Sequence, residues 1–170
     1  MKRIIYFGFL LIFTTFSSCE KDDICVDGDT PLLIIRFYDA ENPTEFKSVT
    51  RLRVVGQGKT TTVDTFADRS MLDSIAIPLN PASDTTGFFM INDSKDDDEG
   101  NEAGDIDNLT FSYQTIDTYV SRACGFVANY ENLDSDLTMD AQNWIQNIEI
   151  VKPLVKLEPE ETSAHVKIFH

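Results

Sequence analysis

Histidine is nearly missing from this chain: its two copies, His165 and His170, both fall in the last few residues. Histidine is the side chain that most readily trades protons near neutral pH and the commonest metal ligand. Its scarcity therefore leaves little material for acid–base or metal chemistry. His165 reads as a surface residue on a final strand, and His170 as a mobile end. Nucleophile turns, phosphate loops and zinc spacings are absent too. Carboxylate pairs of the glycosidase kind need two singled-out acids, and nothing here singles out two. No catalytic residue, metal or cofactor is assigned, and the chain is expected not to be an enzyme. Basic residues are also few, with 14 Lys and Arg against 29 Asp and Glu and a formal net charge of −15. That balance argues against nucleic acid, whose phosphates must be met by Lys and Arg.

Long apolar runs are lacking as well. The most apolar stretch, "IIYFGFLLIFTTF" from Ile4 to Phe16, reaches only ~20 Å as a helix against roughly 30 Å of hydrocarbon. Preceded by Lys2 and Arg3, it reads instead as the core of a secretory signal peptide. Phe16, Ser17, Ser18 and Cys19 resemble a bacterial lipoprotein signal, with Phe16 where Leu is usual. The resemblance makes Cys19 the lipidated residue and new N-terminus, and more than one acyl chain gives firm anchoring. Glu20, Lys21, Asp22 and Asp23 then resemble the signal that sends Bacteroidota lipoproteins to the outer face of the outer membrane. The expected organisation is a signal peptide at 1–18, a lipidated acidic tether at 19–24 and one domain at 25–170. Loss of the leader takes away two basic groups and no acidic one, so the formal net charge of −15 becomes −17.

Cysteine is scarce, and this makes its arithmetic simple. With Cys19 spent on lipid, Cys25 and Cys124 remain, and in an oxidising compartment an even pair reads as a disulfide. Only about six residues would then separate lipid from fold, roughly 20 Å when extended. The domain would sit against the bilayer, which favours a partner that is itself in the membrane.

What the chain does have is short runs of Ile, Val, Phe and Thr, punctuated by Gly, Pro, Asn and Asp, which is how strands read. "LLIIRFYD" from Leu32 puts Leu33, Ile35 and Phe37 on one face of a central strand. "RLRVV" from Arg51 turns Leu52 and Val54 inward, and "KTTTVDTF" from Lys59 reads as its hairpin partner. "DSIAIPL" from Asp73 is held to an edge or strand end by Pro78. "TGFFMIN" from Thr86 and "NLTFSYQT" from Asn108 would pair across an acidic loop. "YVSRACGFVANY" from Tyr119 reads as one strand disturbed near Gly125, where a bulge is expected. Leu133 to Trp144 is the single helix candidate, and "WIQNIEIV" and "AHVKIF" supply the last two strands. "VKPLVKLEPEE" reads as a loop that brings the final strand back. An all-β antiparallel sandwich of eight or nine strands is expected, with a partly open barrel as the alternative.

The acidic loop from Asn92 to Asn108 lacks EF-hand spacing, since Lys95 would fall at the first ligand position. It reads as a solvated, mobile hairpin tip. Tyr119, Tyr130 and Trp144 are candidates for a ligand face, with core packing as the competing role. Ser74 and Thr85, in "DSI" and "DTT", resemble sites at which Bacteroidota attach glycans.

Taken together, the "CEKDD" start, the "PLLIIRFYD" and "LTFSYQT" strands, and Cys25 matched with the cysteine of "RACGF" resemble a family of small Bacteroidota surface lipoproteins classed as a domain of unknown function. The resemblance implies no catalytic residues. It implies a companion of an outer-membrane β-barrel protein or complex concerned with transport or barrel assembly. A surface module that captures glycans or other ligands is the alternative.

Overall fold

The computed structural model describes residues 30–157 and 163–170. Among these the chain is all-β, with nine strands in two sheets. They are β1 (Leu32–Tyr38), β2 (Val49–Gly56), β3 (Ser70–Leu72), β4 (Ser74–Pro78), β5 (Thr85–Asn92), β6 (Asp105–Ser121), β7 (Gly125–Leu137), β8 (Asn147–Ile150) and β9 (Val166–Phe169). One sheet has the order β4-β1-β9-β8 and the other β3-β2-β5-β6-β7.

Alternation decides which faces meet. Leu33, Ile35 and Phe37 of β1 are fully buried, as are Leu52 and Val54 of β2 and Leu109 and Phe111 of β6. Each such side chain contributes about 1.5–3 kcal/mol of transfer free energy. β1 is interior to its sheet, and β4, which ends in Pro78, lies at the edge. β5 and β6 pair across the acidic loop from Thr85↔Ser112 to Asn92↔Asp105.

Four expectations are corrected. Lys59 to Phe66 forms no strand; it makes a single bridge, Val55↔Thr62, and the short β3 pairs with β2 instead. Leu133 to Trp144 is not a helix. Leu133 to Leu137 finish β7, because pairing with β6 satisfies that backbone, and the rest is a loop. Tyr119 to Tyr130 is not one strand but the turn of a long hairpin, with Gly125 at φ 70° and a register shift beside it. Positive φ there suits glycine, which has no Cβ to clash. The sandwich is also not wholly antiparallel. β9 returns by the 151–165 connection and inserts parallel to β1, while pairing antiparallel with β8.

This topology gives the molecule two unlike ends. β1 begins beside the end of β4, with Leu32 opposite Pro78, and Tyr130 Oη donates to the Leu79 carbonyl at 3.2 Å. The start of β5 and the far half of the β6–β7 hairpin lie at this same end. The acidic loop and the 39–48 turn occupy the other.

Candidate interaction surface

The hairpin outruns its sheet. β6 last pairs with β5 at Ser112, yet it continues to Ser121 with β7 as its partner. At about 3.3 Å per residue, that is roughly 25–30 Å of ribbon. Tyr113 marks the base: its hydroxyl donates to the Asn80 carbonyl at 2.9 Å and meets Thr86 Oγ1. Beyond it, residues on the core-facing side run Thr115, Asp117 and Tyr119 on β6, opposite Tyr130, Ala128 and Phe126 on β7. Period-2 alternation thus carries the inward face past the point where another layer covers it. Tyr119 and Phe126 end up 55% and 67% exposed, packed edge to face with ring centroids 5.5 Å apart. From Thr118 to Tyr130 the chain carries Arg122 and no acidic residue, although acids outnumber bases two to one overall.

At the same end lies a cleft of about 760 Å³. It is lined by Gln57, Lys59, Asp64, Asn80, Thr85 and Thr86, with Phe88 and Leu79 at its floor. Gln57 rests against Gly87, where an added Cβ would lie 2.3 Å from the amide oxygen. The lining offers hydroxyls, amides and one charge of each sign, a chemistry suited to a neutral polar ligand.

The opposite end is acidic but ordered. Glu102 sits at its centre, accepting from Ser94 Oγ (2.7 Å), Lys95 N (3.0 Å), Gly104 N (2.9 Å) and Arg53 Nη1 (3.0 Å). Arg53 also meets Asp68 at 2.6 Å, and Arg69 pairs with Asp96. Burial pushes Glu102 up, but its four donors outweigh that and leave it below the usual range. The loop expected to be a mobile tip is therefore a salt-bridged knot, and the two arginines that tie it come from outside the acidic stretch. Among the described residues no group of three or more His, Cys, Asp or Glu is placed to hold a metal ion.

The three candidate ligand-face residues do not share a surface. Tyr130 is fully buried, and burial, aided by Tyr113, pushes its phenol up to about 12. Trp144 is 9% exposed, donates Nε1–H to the Met90 carbonyl at 3.1 Å and packs on Phe37. Tyr119 alone is on the outside. Periodicity could not separate them, because which rings are covered depends on where the opposite sheet stops. Phe126 was not singled out from the sequence, and of the cleft residues only Thr85 was, as a glycan attachment candidate. The acid-free run around Arg122 was a visible signal for the first; the second is assembled from β2, β4, β5 and their loops.

Neither histidine is where the sequence suggested. His165 is 1% exposed, and its Nδ1 accepts the Ile34 N–H at 3.0 Å. His170 is held by its backbone to Tyr38 and Ala40 and packs its ring against Phe37 and Trp144. Both positions follow from β9 inserting beside β1. Ser74 begins β4, half-buried, and Thr85 begins β5, exposed. Cys124 lies in the hairpin turn, its N–H donated to Ser121 Oγ at 3.1 Å. Cys19, Glu20, Lys21, Asp22, Asp23 and Cys25 lie outside the described residues.

A family model described as "Family of unknown function (DUF6452)" matches residues 51–170, from β2 to the C-terminus. No curated protein and no solved structure matches the chain.

Proposed function

The chain belongs to this family of unknown function, DUF6452, and on that premise we propose that it is a non-enzymatic, surface-exposed outer-membrane lipoprotein of the kind Bacteroidota export. It serves as an accessory subunit of an outer-membrane β-barrel complex in transport or barrel assembly. Acyl chains on Cys19 hold it, Glu20 to Asp23 direct it outward, and a Cys25–Cys124 disulfide shortens the tether. One observation supports this above the rest. The described chain begins at the same end as the projecting hairpin and the Cys124 turn, so a short N-terminal tether leads from the membrane to the part of the domain best shaped to touch a partner there. Affinity purification in mild detergent at native expression tests it. A barrel protein should co-purify in fixed proportion; the lipoprotein recovered alone overturns the reading.

The cleft favours a second reading, a module that captures a neutral polar ligand such as a glycan. Hydroxyl and amide side chains converge there without an aromatic platform at the surface. Binding on a glycan array that is lost in Asn80→Ala together with Gln57→Ala supports this reading, and an array without hits removes it.

A further inference from the structure

Among the described residues, the tip of the β6–β7 hairpin combines two well-exposed aromatic rings with an acid-free run of sequence. Tyr119 and Phe126 stand exposed side by side, Arg122 crowns the turn, and no carboxylate occurs from Thr118 to Tyr130. We infer that this tip enters the headgroup–acyl boundary of the bilayer, giving the domain a non-covalent membrane contact beside its lipid anchor. The inference rests on the surface-lipoprotein reading above for which membrane is met, but not for the contact itself.

Three observations select a lipid surface as the occupant. First, charge: a bilayer carrying anionic headgroups repels a domain of this acidity on most faces. At the hairpin tip Arg122 lies in a run from Thr118 to Tyr130 without an acid, bounded by Asp117 and Glu131 toward the base, and the pinned acidic loop lies at the opposite pole. Second, chemistry: Tyr is amphipathic and suits the membrane interface, Phe supplies apolar area below it, and an Arg can reach lipid phosphate. Third, position: the chain outside the described residues joins at Thr30 and Leu32, on the hairpin's end of the sandwich. A ribbon of roughly 25–30 Å is long enough to reach the surface from a domain held on the short tether proposed above. Toward the tip the two strands pair only with each other, so their outer backbone edges keep the ribbon at headgroup depth, where water satisfies them, and only the ring tips reach the acyl boundary.

The test uses the mature chain, residues 19–170, carrying Cys19→Ser so that no acyl group contributes. Phe126→Trp places a fluorophore at the tip, with buried Trp144 as a constant background and fold check. Vesicles of phosphatidylethanolamine and phosphatidylglycerol at three to one should shift the added emission to the blue, and brominated acyl chains should quench it. Tyr119→Ser with Phe126→Ser should lower vesicle partitioning about tenfold, since two aromatic side chains leave the interface. Arg122→Ala should weaken binding to the anionic vesicles more than to neutral ones. Emission unchanged by vesicles overturns the inference, as does partitioning that the double substitution leaves intact. Concentration-dependent dimerisation that the double substitution abolishes also overturns it, by making a second copy the occupant. A barrel protein that co-purifies while the tip ignores vesicles defeats this inference and leaves the accessory-subunit reading standing. The lipoprotein recovered alone, with its tip quenched by brominated lipid, does the reverse.

Discussion

At the scale of single residues, the least expendable polar group is Asp107. It is 1% exposed on β6, and its carboxylate accepts from Ile145 N at 2.8 Å and from Asn143 Nδ2 at 2.9 Å. One side chain thus fixes the loop that seats Ile145 and Trp144 over the core. Asp107→Ala should cost about 2–4 kcal/mol by orphaning these donors, read as a lower urea midpoint with an unchanged slope. Burial pushes Asp107 above the usual carboxylate range. Its titration therefore favours the fold at low pH, and that contribution is lost as pH rises through the raised value. Tyr119 and Phe126 provide the contrast. Tyr119→Ser and Phe126→Ser should each shift stability by no more than about 0.5 kcal/mol, because exposed side chains take little burial energy with them; thermal melting checks this. His170 was expected to be a mobile end, but it packs against Phe37 and Trp144, and burial holds its imidazole below the ordinary value. That contribution is present above pH ~6.5 and is lost as pH falls through the lowered folded value.

At the scale of elements, the acidic loop and the long hairpin exchange the roles their sequences suggested. The loop was to be a loose tip; instead Arg53 and Arg69, from β2 and the turn before β3, gather Asp68, Asp96 and Glu102. These three carboxyls all sit below the usual range in the fold. The unfolded chain binds their protons more tightly, so their stabilisation is present above the ordinary carboxylate range and is lost as pH falls through the lowered values. Melting temperature should therefore drop between about pH 5 and 3, and Glu102→Gln should make that drop shallower while lowering stability at pH 7. An unchanged acid profile would place the pH response elsewhere. No alternation pattern within the loop discloses the arginines, because their approach depends on β2 pairing with β5. The hairpin failed for the opposite reason. Its strands were legible as β, but the "SRACG" turn at its tip reads equally well as a bulge until pairing shows that the chain reverses there.

At the scale of the whole molecule, the proposed anchor and disulfide make predictions that need no partner. Cys19→Ser should release the protein from membranes into the soluble fraction of lysed cells. The intact mature chain should be lighter by two hydrogens than its reduced form, with Cys25 and Cys124 in one peptide pair after non-reducing digestion. Closing a loop of about 100 residues gives ~4.7 kcal/mol in the chain-entropy treatment. Cys124→Ser should therefore lower the melting temperature well beyond what a surface change does. A free thiol at Cys124 in the exported protein would remove the short-tether geometry and the case for a domain pressed to the bilayer.

What the sequence determined by itself was whatever depends on local pattern. Alternating Leu33, Ile35 and Phe37 needs no partner to declare a strand with one buried face, and Pro78 needs none to mark an edge. Short β runs between turn residues suffice for an all-β sandwich. Tertiary structure alone decided where each pattern stops being covered. Tyr113, Tyr119, Phe126 and Tyr130 look alike in sequence and share one face of one hairpin. The layer opposite ends near Leu32, Leu79 and Asn80, so Tyr113 and Tyr130 become core while Tyr119 and Phe126 reach solvent. Burial is a property of the neighbour as much as of the residue, and the neighbours here come from strands distant in the chain.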